Sequence, residues 1–145
     1  MSESDKNTDW EWPVFDEYGM TQWHWRVLYP ERLLFRNNVS IGSFTMIDAT
    51  TGVEIEDNVQ IGFGCTILSY SSIDKKSRKV ILKNNSCVGA NSVIMPGVTI
   101  GANSIVGANS LVTREVPENE IWGGSPARFL KKRADSTIDE VSSDL

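Results

Sequence analysis

Residues 82–112 read LKNNSCVGANSVIMPGVTIGANSIVGANSLV, and a bulky apolar residue returns every six positions: Leu82, Val88, Ile94, Ile100, Val106 and Val112. The same step runs upstream through Ile55, Ile61 and Ile67, and before them through Phe35, Ile41 and Ile47. A helix repeats every ~3.6 residues and a coiled coil every ~3.5, so neither sustains this period. Two further positions keep the same time. Four residues after each bulky one stands a small or β-branched residue, from Val39, Thr45 and Thr51 through Ser86, Ser92, Val98, Ser104, Ser110 and Val116. Three residues after it stand Asn38, Asn58, Gly64, Asn85, Asn91, Gly97, Asn103 and Asn109, residue types that tolerate a left-handed backbone. Phe44, Thr50, Tyr70 and Glu115 are the exceptions at that position. Each hexad is therefore a short strand and a corner. Such a strand cannot bury its inner face alone, but stacked turns of a solenoid can. Three hexads close a triangular turn, and the twelve bulky positions predict an all-β parallel helix of about four turns over residues 35–117. A β-sandwich with regular hairpins does not place three residue classes on one period.

The breaks in the period fall together. Ile47 and Ile55 are eight apart, and Ile67 and Leu82 fifteen apart, with a loop predicted at 73–81. Both breaks follow the third face of a turn, as does the exit near Pro117. The departures thus stack on one edge, and loops on one edge of a solenoid commonly build its binding site. The corner after the second face differs: Gly42-Ser43, Gly62-Phe63, Gly89-Ala90 and Gly107-Ala108 leave it nearly without side chains. A ligand lying against bare backbone and simple turn economy both account for those glycines.

The composition suits one domain, 145 residues with 40% hydrophobic and 23% charged. The formal net charge of −5 is carried by the ends. Acids dominate residues 1–19 and 134–145, whereas the body is mildly basic, which suits a phosphate-bearing small molecule better than nucleic acid. No apolar run is long enough to span a membrane. The polar start argues against a secretory leader, and Cys65 and Cys87 form no CxxC, so a reducing cytoplasm is expected. Residues 1–9 read as a frayed end and 134–145 as a solvated tail. Trp10, Trp12, Trp23 and Trp25 lie within the segment 1–34, and are expected to cap the open first turn.

The repeat, together with VGANSVIMPGVTIGANSIVGANSLVTREVPENEIWGGSPARFLKK at 88–132, resembles the hexapeptide-repeat acyltransferases, above all the galactoside, maltose and surface-polysaccharide acetyltransferases. The resemblance implies a left-handed parallel β-helix, a homotrimer, and acetyl-CoA as co-substrate, its pantetheine arm lying along a glycine edge between subunits. By motif match it assigns coenzyme contacts to Ala90, Ala108, Thr113, Arg114, Arg128 and Lys131. Residues 118–133 are expected to form a strand and a short C-terminal helix, with Ser125 as N-cap and Pro126 in the first turn. Arg128 and Lys131 would then share a helix face.

The resembled sugar O-acetyltransferases carry a His at the start of the long loop, where this chain has Ser69-Tyr70-Ser71-Ser72-Ile73-Asp74. Its single His is His24, too few for the three-His zinc site of the carbonic anhydrases that share the fold. No metal is expected. Three readings of the base stay open: an amine acceptor that needs none, a carboxylate at Asp48 or Asp74, or His24 brought across from the N-terminal segment or a neighbouring subunit. Tyr70, Ser71, Ser72 and Trp122 are the residues expected to touch a sugar. These features point to an acetyltransferase acting on a sugar or nucleotide-sugar, with an amine acceptor favoured and surface-polysaccharide synthesis as its setting. The competing reading is a hexapeptide scaffold without catalysis that has lost its His.

Overall fold

A computed structural model describes residues 10–134. The expected end segments 1–9 and 135–145 lie outside the described residues.

The hexads stack as parallel strands in three sheets around one core. One sheet stacks β1 (Arg26–Leu28), β4 (Met46–Asp48), β7 (Thr66–Leu68), β10 (Val93–Ile94) and β13 (Leu111–Val112). The next holds β2 (Leu33–Phe35), β5 (Val53–Ile55), β8 (Val80–Leu82) and β11 (Thr99–Ile100), extended by a parallel bridge from Ile100 to Val116. The third stacks β3 (Ser40–Ile41), β6 (Gln60–Ile61), β9 (Cys87–Val88), β12 (Ile105–Val106) and β14 (Glu120–Gly124), with β15 (Ala127–Lys132) antiparallel at its edge. We call them the first, second and third sheets.

Register confirms the period. Val27, Ile47, Ile67, Ile94 and Val112 form one inward column, and Ile41, Ile61, Val88, Val106 and Trp122 another. Of the twelve expected bulky positions eleven are buried, and only Phe35 is half-buried. The solenoid has about five turns rather than four. Val27, Val116 and Trp122 add one inward position to each column; Val27 lies eight residues before Phe35 and Val116 only four after Val112, so the step of six misses the added turn at both ends.

The corners behave as their residue types require. Asn38, Asn58, Asn85, Asn91, Asn103 and Asn109 all have φ between 58° and 63°, and Gly64 and Gly97 are also left-handed. Phe44, an exception in residue type, adopts φ 68° nonetheless. Thr50, Tyr70 and Glu115 do not turn this way, and they sit where the chain leaves the repeat.

The open first turn is covered by aromatics. Trp25 is 2% exposed and stacks on Phe35 at 5.8 Å between ring centroids. Trp10 also stacks on Phe35, at 6.3 Å between ring centroids, and donates its indole N–H to Val39 O at 2.8 Å.

The C-terminal helix is not formed. Ile121 and Trp122 continue the third sheet's ladder, and an unpaired strand edge there is a liability that pairing removes. Residues 127–132 supply the pairing by turning at Ser125-Pro126 and running back antiparallel. The same two residues that read as N-cap and first helical position therefore form a hairpin turn.

Candidate functional site

A cleft of about 740 Å³ runs along the glycine edge, where the third sheet turns into the first. Gly62, Gly89, Gly107 and Ala108 form one wall, Cys87 and Ile105 of the third sheet's outer face the floor, and Gly123, Gly124 and Leu130 of the hairpin the far end. The glycines are dictated by stacking. A Cβ on Gly62 would lie 2.6 Å from the Ala90 nitrogen, and one on Gly89 2.4 Å from that of Ala108, closer than real Cβ contacts. Turn economy thus accounts for these residues, and the shallow cleft is its consequence. Their amides are also committed: Gly62, Gly89 and Gly107 donate to Val88, Val106 and Trp122 carbonyls, each at 2.8 Å. The N–H groups of Ala90 and Ala108, beside them, donate no bond among the described residues.

Burial pushes the Cys87 thiol up, against a small opposing pull from Arg133. Cys65, buried beneath the same edge, is raised for the same reason and points its sulfur at Gly89 O, 3.2 Å away. Both thiols stay protonated, so Cys87 is a neutral wall of the cleft and not a nucleophile.

The hairpin carries the cations. Arg128 pairs with Gly123 and Lys131 with Ile121, while a register shift between Ile121 and Trp122 leaves Leu130 as the extra residue. Gly123 and Ile121 are two apart, so Arg128 and Lys131 return to one face of the sheet, the face of Leu130's cleft. The juxtaposition expected from a helix is produced by a bulged strand. Thr113 and Arg114 are exposed just after β13, and the Arg114 guanidinium lies 5.8 Å from the centre of the Trp122 ring.

Trp122 is not on the loop edge. It is 8% exposed, points inward beneath Val106 and donates its indole N–H to Glu120 at 3.0 Å. It closes the last turn, as Trp25 closes the first.

The residues expected to touch the acceptor lie on a different corner of the prism, between the first and second sheets. There Ser69–Arg78 folds back on itself: Ser71 N–H donates to Lys76 O, Arg78 N–H to Ser69 O, and Tyr70 bridges Ser77. Ser72 is exposed at its tip beside Ile73. The Ser71 hydroxyl holds the Asp74 carboxyl below the usual carboxylate range, slight desolvation opposing it and the Lys76 N–H and ammonium assisting. Asp48, on β4, caps the neighbouring turn, accepting from the Thr50 hydroxyl at 2.5 Å and the Thr50 N–H at 2.9 Å. A useful general base has a pKa near the working pH. Asp74 is moved away from it, and Asp48 is occupied as a turn cap.

His24 is on neither loop. By register it stacks in the left-handed column of the glycine edge, His24, Phe44, Gly64, Asn91 and Asn109, with φ 65° and its carbonyl accepting from Phe44 N–H. Its ring is exposed, next to Trp23. Of the expected coenzyme residues, Ala108 lines the cleft, Ala90 stands beside its Gly89, and Arg128 and Lys131 share a face of the hairpin at its far end without lining it, whereas Tyr70, Ser71, Ser72, Asp74 and Asp48 lie on another edge. Sequence reasoning missed Leu130 and Cys87: the outward orientation of Cys87 follows from period two within its strand, whereas Leu130 is the extra residue of a bulge that spacing does not reveal.

Comparisons with known proteins agree with the repeat. Residues 79–114 match the bacterial transferase hexapeptide (six repeats) model. A galactoside O-acetyltransferase of Escherichia coli (strain K12) is 32% identical over 82% of this chain, and one of Lactococcus lactis 42% identical over 65%. The chain spans 64% and 49% of their respective lengths. A hexapeptide-repeat-containing acetyltransferase from Vibrio cholerae, solved with acetyl-CoA, superposes with a TM-score of 0.73 at 28% identity, over 77% of this chain and 66% of that one. Repeat, three-sheet solenoid and relatives agree: the chain carries the bacterial transferase hexapeptide repeat, and its fold matches the left-handed parallel β-helix of the hexapeptide-repeat acetyltransferases.

Proposed function

We propose that the protein is an acetyl-CoA-dependent acetyltransferase whose acceptor is an amine on a sugar or nucleotide-sugar. The observation that carries the reading is the cleft on the glycine edge, with its backbone walls and the unused N–H of Ala108, flanked by the unused N–H of Ala90 and, beyond its hairpin end, by Arg128 and Lys131 on one face of the hairpin. An elongated thioester with phosphates at one end matches that distribution. The cations receive the phosphates, and Thr113 and Arg114 extend the polar end. The alanine amides are placed to hold the pantetheine chain or the oxyanion that forms when the thioester carbonyl is attacked.

In this reading the second half of the site comes from a neighbouring copy in a homotrimer, whose loop edge would bring Tyr70, Ser71, Ser72 and Asp74 against the cleft. A neutral amine attacks the thioester carbonyl, the C–S bond breaks, and the nitrogen's surplus proton passes to the departing thiolate or to water. No strong enzymic base is required, which agrees with an Asp74 of lowered basicity and an Asp48 bound to Thr50. The chemistry is that of sugar modification, and a cytoplasmic role in surface-polysaccharide synthesis is the setting we infer. No helix among the described residues is long and apolar enough to cross a membrane.

The test is thiol release from acetyl-CoA with matched amino and hydroxyl sugars, free and nucleotide-linked. Amino acceptors should react faster, with a rate that rises as the free amine deprotonates, and His24→Ala should cost less than about tenfold, below the 10²–10⁴ of a lost general base. Preference for hydroxyl acceptors, with activity collapsing in His24→Ala, would identify His24 as the base and refute the amine reading.

A further inference from the structure

A second cleft, of about 430 Å³, continues the first toward the N-terminal end, and the two share Ser40, Ile61 and Gly62. Its character is different. Trp10, Trp23, Trp25, Phe35, Ile41 and Phe63 make most of its wall. The polar side chains are few: Glu11, Ser40 and Ser43, of which Ser43 already donates to Trp23 O at 2.9 Å. Trp10, Trp23 and Trp25 come from the segment that covers the first turn and Phe35, Ile41 and Phe63 from the repeat, so the aromatic cap is also one wall of a groove.

Register sets the scale. The corner column runs Trp23, Ser43, Phe63, Ala90 and Ala108, four strand spacings of ~4.8 Å, or about 19 Å from end to end. At one end are the hairpin cations, and at the other the aromatic cleft. A thioester anchored by its phosphates at the cationic end reaches the seam at Gly62 with its sulfur end leading. Whatever the sulfur carries enters the aromatic cleft.

We infer that this cleft is an acyl pocket, and that the protein accepts thioesters with an apolar acyl chain of about six carbons in addition to acetyl. The inference rests on the coenzyme reading above. An acetyl group has three heavy atoms, whereas the cleft has many times the ~30 Å³ that one water occupies in the liquid. A hydrocarbon tail requires no hydrogen-bond partners there. A sugar would need several, and the wall supplies few.

The experiment is calorimetric titration of the full chain with CoA, acetyl-CoA and hexanoyl-CoA. Burying one methylene is worth roughly fourfold in affinity, and an open cleft realises part of it, so four additional methylenes should tighten binding by at least about tenfold. Phe63→Ala should shrink the hexanoyl-to-acetyl ratio at least about threefold. Phe63 is 67% exposed, so its removal leaves the solenoid core intact. Hexanoyl-CoA binding no tighter than acetyl-CoA, with acetyl-CoA still bound, would overturn the acyl pocket alone. A tenfold gain that persists undiminished in Phe63→Ala would overturn its placement. Failure of all three to bind would overturn the coenzyme reading and this one together.

Discussion

Replacing Gly89 by Ala adds a single methyl group, yet it should be among the costliest small changes in the chain. The added Cβ would stand 2.4 Å from Ala108 N, 2.7 Å from Ala108 Cα and 2.8 Å from Gly107 C. Comfortable contacts begin near 3.5 Å, so successive turns must part by about 1 Å at this corner. The neighbouring atoms are backbone, and no rotamer change relieves the clash. Parting the turns stretches the 2.8 Å bonds from Gly89 N–H to Val106 O and from Asn109 N–H to Ala90 O. Each such bond is worth about 1 kcal/mol net, and overpacking itself costs about 1–3 kcal/mol. A loss of roughly 2–4 kcal/mol follows, which lowers Tm by about 10 °C for a domain of this size. Thermal melting followed by circular dichroism measures it. A Gly89→Ala variant that melts with the parent would refute the claim that stacking dictates the glycine column.

Other expectations follow from the same geometry. Ile94→Asp places an unpaired charge in the inward column between Ile67 and Val112 and should abolish folding; a soluble variant with a cooperative melt would contradict the solenoid. Arg128→Ala with Lys131→Ala should weaken acetyl-CoA binding with little change in Tm, because surface charge changes usually cost little stability, and calorimetry with a parallel melt separates the two effects. Asp74 should titrate below the ordinary carboxylate range by NMR, and Ser71→Ala should bring its pKa up. Because the folded value is depressed, the loop's favourable contribution is present above the unfolded pKa and fades as pH falls through the folded one. An unchanged Asp74 titration in Ser71→Ala would remove that hydroxyl from the account.

The repeat was legible because three residue classes shared one clock, and each clock position had a distinct physical duty: inward packing, left-handed turning, or space for the next turn. The period was blind at the two ends. Val27 is separated from Phe35 by the turn at Tyr29–Arg32, and Val116 follows Val112 by only four residues, so neither registers as a sixth position. The hairpin was misread because Ser-Pro followed by cations three apart fits a helix start locally. What decided against it was non-local: the exposed edge of β14 needed a partner. Trp122 was misplaced for the same reason, since only its pairing with Val106 shows that it faces inward. The pairing of Arg128 with Lys131 survived the change from helix to strand because the bulge at Leu130 restored a common face. The division of the expected site between two edges could not be read from spacing, because opposite corners of a triangular turn are only a hexad or two apart in sequence.

Chemical-shift mapping of backbone amides during titration with acetyl-CoA tests the coenzyme cleft most directly. Shifts should concentrate along the glycine edge, at Gly62, Gly89, Ala90, Gly107 and Ala108, and at Arg128 and Lys131 of the hairpin. A spectrum that does not respond to acetyl-CoA, or one whose shifts avoid that edge, would contradict the assignment of this cleft to the coenzyme.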